Sequence, residues 1–503
     1  MVQNLRKVSV YLFGLRLLRT AMSVVTVALS AKYFGVGIER DVWLLVVAFI
    51  TTINLAVWGP INETFRTRFI FLREQEGENE ALRKTSSLLS FMVLVTILVS
   101  GLIMLFPNFL MHIIAPSVSD ENSHLFVKML YLLVPTFLIN QLVVIGTSIL
   151  NAYESFYVPE IVNFFSGILH ILCLLLLAPI IGIDSLVISM YLSLSLLLLV
   201  LILYIHKKNI KMGYLPLFFS WKAVKPFIIF SIPFFIPYFV SQCNAVVEKS
   251  ISNLMGIGIV STIDYARRFT EVLLGVFLGV LSSVLVPTLS KHYSDHDEVG
   301  FLGVFKQYVQ VVFLFLSITL PLLIGAALPI DTFFYFRGEI TMDTVLDMAL
   351  LTQLYGVSFI SVALYLFFGL SLLSQNQGKK YAIYGALAQV IMIVFDVLFY
   401  KELGIYTFVI ALFISHTIVA IIMYYCLRLT NKKHMTKYIF RYLFLLLLLI
   451  VVQIVINYYV GGIHILLQIL LQGICLLITL PLLGWLFGFN LKHYITMIKM
   501  KIG

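Results

Sequence analysis

Residues 442–460 read YLFLLLLLIVVQIVINYYV, a stretch from Tyr442 to Val460 with no acid, lysine or arginine. A bilayer core about 30 Å thick takes roughly 20 apolar residues in a helix that rises 1.5 Å per residue. This stretch therefore has the length and composition of a transmembrane helix. Followed outward, the pattern recurs along the whole chain, and fourteen predominantly apolar runs long enough to span are expected, from 8–33 at one end to 463–490 at the other. Of the 503 residues, 61% are apolar and 12% charged, which is about half the charged share of a soluble domain. Mean hydropathy is +1.03. A soluble enzyme, a disordered chain and a coiled coil are excluded. The expected fold class is an all-α polytopic membrane protein with about fourteen transmembrane helices.

The connecting segments orient the chain. Alternate loops hold 24 basic residues, including Arg66, Arg68, Arg73, Lys207, Lys222, Lys225 and Lys433, whereas the opposite set holds only Arg40, Arg337 and Lys401. Lysine and arginine concentrate on the cytoplasmic side of membrane proteins, so both termini are expected in the cytoplasm. The net charge of +10 is explained by the same loops, and no nucleic-acid partner is expected. Arg6 and Lys7 lead into an apolar stretch too long for a cleavable signal. Cys173, Cys243, Cys426 and Cys475 all fall within apolar segments without paired spacing, so neither disulfides nor a metal framework is expected.

Two halves echo each other. Phe34-Gly35-Val36-Gly37-Ile38 is answered by Met255-Gly256-Ile257-Gly258-Ile259, 221 positions on, and Gly182-Ile183 by Gly404-Ile405, 222 positions on. Six helices per unit is an even number, so both units run the same way through the bilayer. Parallel repeats of this kind build transporters. The expected domains are an N-terminal lobe of helices one to six over 1–215, a second lobe of helices seven to twelve over 216–430, and two further helices over 431–503.

Charges inside the apolar runs are costly, about 2.5–3.5 kcal/mol for an arginine or lysine at mid-bilayer, and therefore mark function. In the first helix Arg16, Arg19, Ser23, Thr26 and Ser30 recur three or four residues apart, a polar stripe on an apolar rod. The seventh helix carries Asn244, Glu248 and Lys249; the eighth carries Asp264, Arg267, Arg268 and Glu271. Asp264 with Arg268, and Arg267 with Glu271, stand at i,i+4, a spacing that also permits mutual neutralisation. Helix two adds Asn54 and helix eleven Asp396. Guanidinium groups bind phosphate oxygens in a planar fork, so Arg16, Arg19, Arg267 and Arg268 point to an anionic headgroup. An inside-negative membrane potential favours outward movement of an anion by about 2.3 kcal/mol per charge per 100 mV. No nucleotide-binding loop is present, since Gly35-Val36-Gly37 lacks a third glycine and follows a membrane helix. No organic cofactor is expected.

These residues resemble the MurJ (MviN-type) lipid II flippases, of the exporter superfamily that includes Wzx polysaccharide flippases and MATE antiporters. The resemblance rests on Gln242-x-Asn244-x-x-x-Glu248, Tyr265-Ala266-x-Arg268, Glu271, Gly275 and Pro287-Thr288-Leu289-Ser290-Lys291. Phe34-Gly35-x-Gly37 followed by Asp41 adds to it. It implies a V-shaped cavity between two lobes, alternating access, and a groove for a lipid tail on helices thirteen and fourteen. Asp41 and Arg268 match cavity positions of the family, and Arg19 lies within one position of its first-helix arginine. Other family arginines are replaced near Thr26 and Asn54. Glu248 and Asp396 match acidic positions that hold sodium in some members, which implies sodium or proton coupling. The implied activity is transport of an undecaprenyl-pyrophosphate-linked saccharide, foremost lipid II, across the bacterial cytoplasmic membrane. Three rival readings remain: a flippase for O-antigen or capsule units, a cation-coupled drug antiporter, and a scaffold that docks cell-wall enzymes.

Overall fold

The computed structural model describes residues 2–118, 120–210, 219–281, 285–338 and 340–487. Lys211, Lys492, Lys499 and Lys501, basic residues assigned to the inner side, lie outside the described residues. Among the described residues every regular element is helical. The helices are α1 (Val2–Phe34), α2 (Ile38–Glu76), α3 (Glu78–Leu105), α4 (Pro107–Ile114), α5 (Ser123–Ala152) and α6 (Tyr157–Ile181). They continue with α7 (Asp184–Lys207), α8 (Trp221–Leu254), α9 (Ile259–Val280), α10 (Val286–Ser294), α11 (Glu298–Gly325) and α12 (Ala327–Tyr335). The last are α13 (Met342–Ser374), α14 (Gly378–Leu403), α15 (Thr407–Cys426), α16 (Lys432–Val460) and α17 (Ile465–Leu486).

Eleven segments among the described residues are long and apolar enough to cross a membrane, and one of these, 378–426, contains both α14 and α15. The helices α1 and α9 fall outside that set. In α9 the reason is chemical: Asp264, Arg267, Arg268 and Glu271 sit within one short helix. Several runs read as single spans are broken. The third ends at Phe106 and resumes as α4, and the ninth ends at Ala326 and resumes as α12. The eighth stops at Val280, and residues 286–294 form the separate α10. Pro107 and Pro287 stand in the first turn of α4 and α10, where their missing N–H costs no helical bond.

The chain divides into two compact units, 1–261 and 262–503, so α8 belongs with the first. There α8 packs along α2. A Cβ added at Gly59 of α2 would come within 2.5 Å of the Tyr238 ring on α8, so only glycine permits this approach. Phe65 stacks on Phe227 with centroids 5.6 Å apart, and the Thr64 and Ser231 hydroxyls meet at 2.6 Å. Thr64 also donates to the carbonyl of Pro60, inside α2. In the second unit α13 and α15 are joined by Ser358 donating to the Val409 carbonyl (3.0 Å) and by Ser361 meeting Thr417 (2.7 Å). Helix α16 presses on α11, where Gly325 leaves room for Gln453. The four cysteines are free.

Candidate functional site

Arg19 projects from α1 toward α6, and its Nη1 lies 3.4 Å from Glu160 Oε2; the side chains are 46% and 15% exposed. The side chain of Arg16 lies outside the described residues. Ser23 and Thr26 donate to the carbonyls of Thr20 and Met22, within their own helix, and Ser30 is buried. The stripe is therefore open around Arg19 and closed at Ser30.

Asp41, in the first turn of α2, is 2% exposed. Its carboxylate accepts the backbone N–H of Gly258 (2.6 Å), the N–H of Ser261 (2.9 Å) and the Ser261 hydroxyl. These donors form the start of α9, where unpaired N–H groups and the helix dipole favour an anion. Gly258 has φ +89, and a Cβ there would meet the Val36 carbonyl oxygen at 2.7 Å. The repeated glycine motifs thus meet each other: the turn before α9 rests on the turn before α2. Lys249 is within electrostatic reach of Asp41. Asn54 and Glu248 are both buried, at 5% and 6% exposure. Arg40, read as a loop cation, instead lies buried in α2 with its guanidinium 4.9 Å from the Trp43 ring, which shields the charge by cation–π contact.

In the second unit Arg267 and Arg268 occupy successive positions on α9 and take different partners. The Arg267 guanidinium lies over the Tyr355 ring at 5.2 Å, and its Nη2 donates to the Tyr355 hydroxyl at 3.0 Å. Arg268 Nη1 donates to Glu271 Oε2 at 3.1 Å, an i,i+3 pair on the helix surface. Asp396 of α14 is fully buried. So is Asp331 on α12, a short helix outside the candidate spans. Thr352 Oγ1 gives its proton to the Ala266 carbonyl, and neither Asp331 oxygen makes a hydrogen bond. Burial pushes the Asp331 carboxyl up to about 8.

Three partners escaped the sequence reading. Glu160 is 141 positions from Arg19, Ser261 is 220 from Asp41, and Tyr355 is 88 from Arg267. Only the glycine motif at 255–259 carried a signal for any of them. Arg19 and Arg268 are each paired with a carboxylate, and Arg267 donates to a phenol and lies within electrostatic reach of Glu271. A phosphate oxyanion offers the same planar fork an alternative bidentate acceptor. Among the described residues no cluster of histidine, cysteine, aspartate and glutamate is arranged to hold a metal ion.

The family profile described as "Lipid II flippase MurJ" matches residues 30–481. The chain belongs to this family. A lipid II flippase MurJ of Burkholderia cenocepacia is 21% identical over 372 residues, 72% of each chain. A probable lipid II flippase MurJ of Vibrio cholerae is 25% identical over 300 residues, 59% of this chain and 56% of the relative. Among solved structures, a lipid II flippase MurJ in an inward closed conformation aligns with a TM-score of 0.76 at 23% identity, covering 98% of this chain and 99% of the other. A multidrug resistance MATE family transporter in an inward-facing conformation aligns at 0.67 with 14% identity, over 80% and 92%. These likenesses show the fold that this MurJ family member shares with the two solved structures.

Proposed function

We propose that this chain is a lipid II flippase, moving the undecaprenyl-pyrophosphate-linked precursor from the cytoplasmic to the outer leaflet by exposing its binding residues to each leaflet in turn. The observation that carries the reading is the family match over 30–481, which includes α9 with Arg267 and Arg268 and only the last residues of α1, so that Arg16 and Arg19 precede it. Arg16 and Arg19 on α1, and Arg267 and Arg268 on α9, offer the diphosphate donors, with Asn54 and Lys249 as further polar contacts and Asp41 holding the start of α9. The exposed apolar faces of α16 (Phe440, Phe444, Val451, Val455) and α17 (Leu470, Ile474, Leu477) suit a polyprenyl tail. Fourteen crossings follow if α1 and α9 also span. The 24-to-3 division of basic residues puts both termini in the cytoplasm.

Coupling belongs to the same proposal. Glu248 and Asp396 are buried carboxyl groups, the oxygen chemistry that a sodium ion or a proton takes. In proteoliposomes, lipid II loaded into one leaflet becomes accessible to an impermeant reagent from the other. Wild-type protein raises that rate, Arg268→Ala lowers it at least about tenfold, and a sodium gradient or a membrane potential changes it. A rate equal to that of empty liposomes overturns the proposal.

A further inference from the structure

At the basic end of the first unit, Arg68 of α2 and Lys222 and Lys225 of α8 line one concave site of about 350 Å³ with Pro226, Ile229 and Phe230. No acid lines it, and among the described residues none of the three cations has an ion-pair partner. Other basic and polar side chains nearby are paired with acids. Arg83 is paired with Glu80 at 2.6 Å, Lys84 with Glu76, and Tyr153 donates to Glu78 at 2.6 Å. Arg68 is pre-positioned: its guanidinium lies over the Phe230 ring at 5.9 Å, and its Nε is buried without a hydrogen bond.

The depth of the site identifies its ligand. Trp221, 53% exposed, opens α8 and packs edge-on against Phe91, the position and residue type of an interfacial aromatic anchor. Lys222 and Lys225 follow within one turn, at headgroup level. Ile229 lies one turn deeper, on the face of Lys225, and is 53% exposed, at the level of acyl chains. Cations above and an exposed apolar wall below match an amphiphile whose phosphate sits over hydrocarbon. Basic pockets between transmembrane helices on the cytoplasmic side bind anionic headgroups, at about fivefold in affinity per lysine or arginine near the surface.

We propose that Arg68, Lys222 and Lys225 form a specific site for the phosphate of an anionic glycerophospholipid in the leaflet on the basic side. Its residues are other than the arginines on α1 and α9. Free phosphate and a polyprenyl diphosphate present the same oxyanion chemistry, and the test distinguishes those sources.

The experiment is native mass spectrometry of the full chain in detergent, titrated with dioleoyl phosphatidylglycerol or dioleoyl phosphatidylcholine. The wild type is expected to hold one phosphatidylglycerol at least tenfold more tightly than phosphatidylcholine. Lys222→Ala and Lys225→Ala each weaken it about fivefold, the double Lys→Arg variant restores it, and Lys379→Ala with Lys380→Ala leaves it unchanged. An unchanged thermal midpoint and the arginine rescue separate loss of the site from misfolding, and the wild-type comparison needs no variant. Equal retention of both lipids by the wild type overturns the proposal, as does a preference that survives the double alanine variant. Displacement by millimolar inorganic phosphate would make it a free-anion site, and a tenfold preference for undecaprenyl pyrophosphate through the same residues would make it a cargo site. Either result also overturns it.

Discussion

Removing the Asp41 carboxylate leaves the N–H groups of Gly258 and Ser261 and the Ser261 hydroxyl without their acceptor, in a place 2% exposed to water. A buried donor left unsatisfied costs about 1–3 kcal/mol. Asp41→Ala is therefore expected to lower the thermal midpoint clearly, and Asp41→Asn, which keeps one acceptor oxygen, to lower it less; equal midpoints for wild type and Asp41→Ala would refute this role. Asp331 acts in the opposite sense. Its folded-state pKa of about 8 lies above the ordinary 3.8. Its contribution to stability is thus complete below about pH 4, declines as pH rises, and is lost through about pH 8. Asp331→Asn should flatten the midpoint-versus-pH curve over that window and raise the midpoint at pH 8 by about 2 °C or more. A variant curve parallel to the wild type would contradict it. At this scale the sequence named Arg268 from its chemistry and Asp41 from the family resemblance. It could not name their setting, because no spacing rule links Asp41 to a serine 220 positions away.

At the scale of helices, one pair of the answering turns shares its backbone conformation, whereas Gly37 (φ −83) and its counterpart Gly258 (φ 89) differ. Gly182 closes α6 with φ 59 and ψ −137, and Gly404 closes α14 with φ 56 and ψ −139, almost the same conformation at positions 222 apart. A side chain at φ near +60 is strained in itself. A Cβ at either glycine meets nothing within 4 Å, so the cost of alanine there is backbone strain alone. Gly182→Ala and Gly404→Ala are each expected to cost about 1–3 kcal/mol, and by equal amounts, read from denaturation in detergent. A large difference between them would mean the two turns are not equivalent. The long apolar runs were legible as helices because hydropathy over 20 residues leaves little else for them to be. The breaks at Phe106 and Ala326 were not, since both sides of each break are equally apolar and the pattern carries no polar punctuation.

Over the whole molecule, membrane residence follows from composition, and the family from a profile match over 30–481. The grouping by packing ends the first unit at Ser261, after α8, whereas the sequence offset groups helices six by six. The two divisions answer different questions. One follows α8 packed along α2, through the close approach of Gly59 to Tyr238; the other follows the glycine turns at 221–222 positions. Arginines stand on both sides of that boundary, Arg19 before it, paired with Glu160, and Arg267 and Arg268 after it, with Tyr355 and Glu271. Transport of lipid II by these guanidinium groups is what we propose. It is tested most directly by colony formation in a bacterial strain depleted of its own lipid II flippase. Expression of the wild-type chain is predicted to restore colonies, and Arg268→Ala at equal membrane abundance to reduce them at least about a hundredfold. Failure of the wild type to restore growth, or full rescue by Arg268→Ala, would contradict the account.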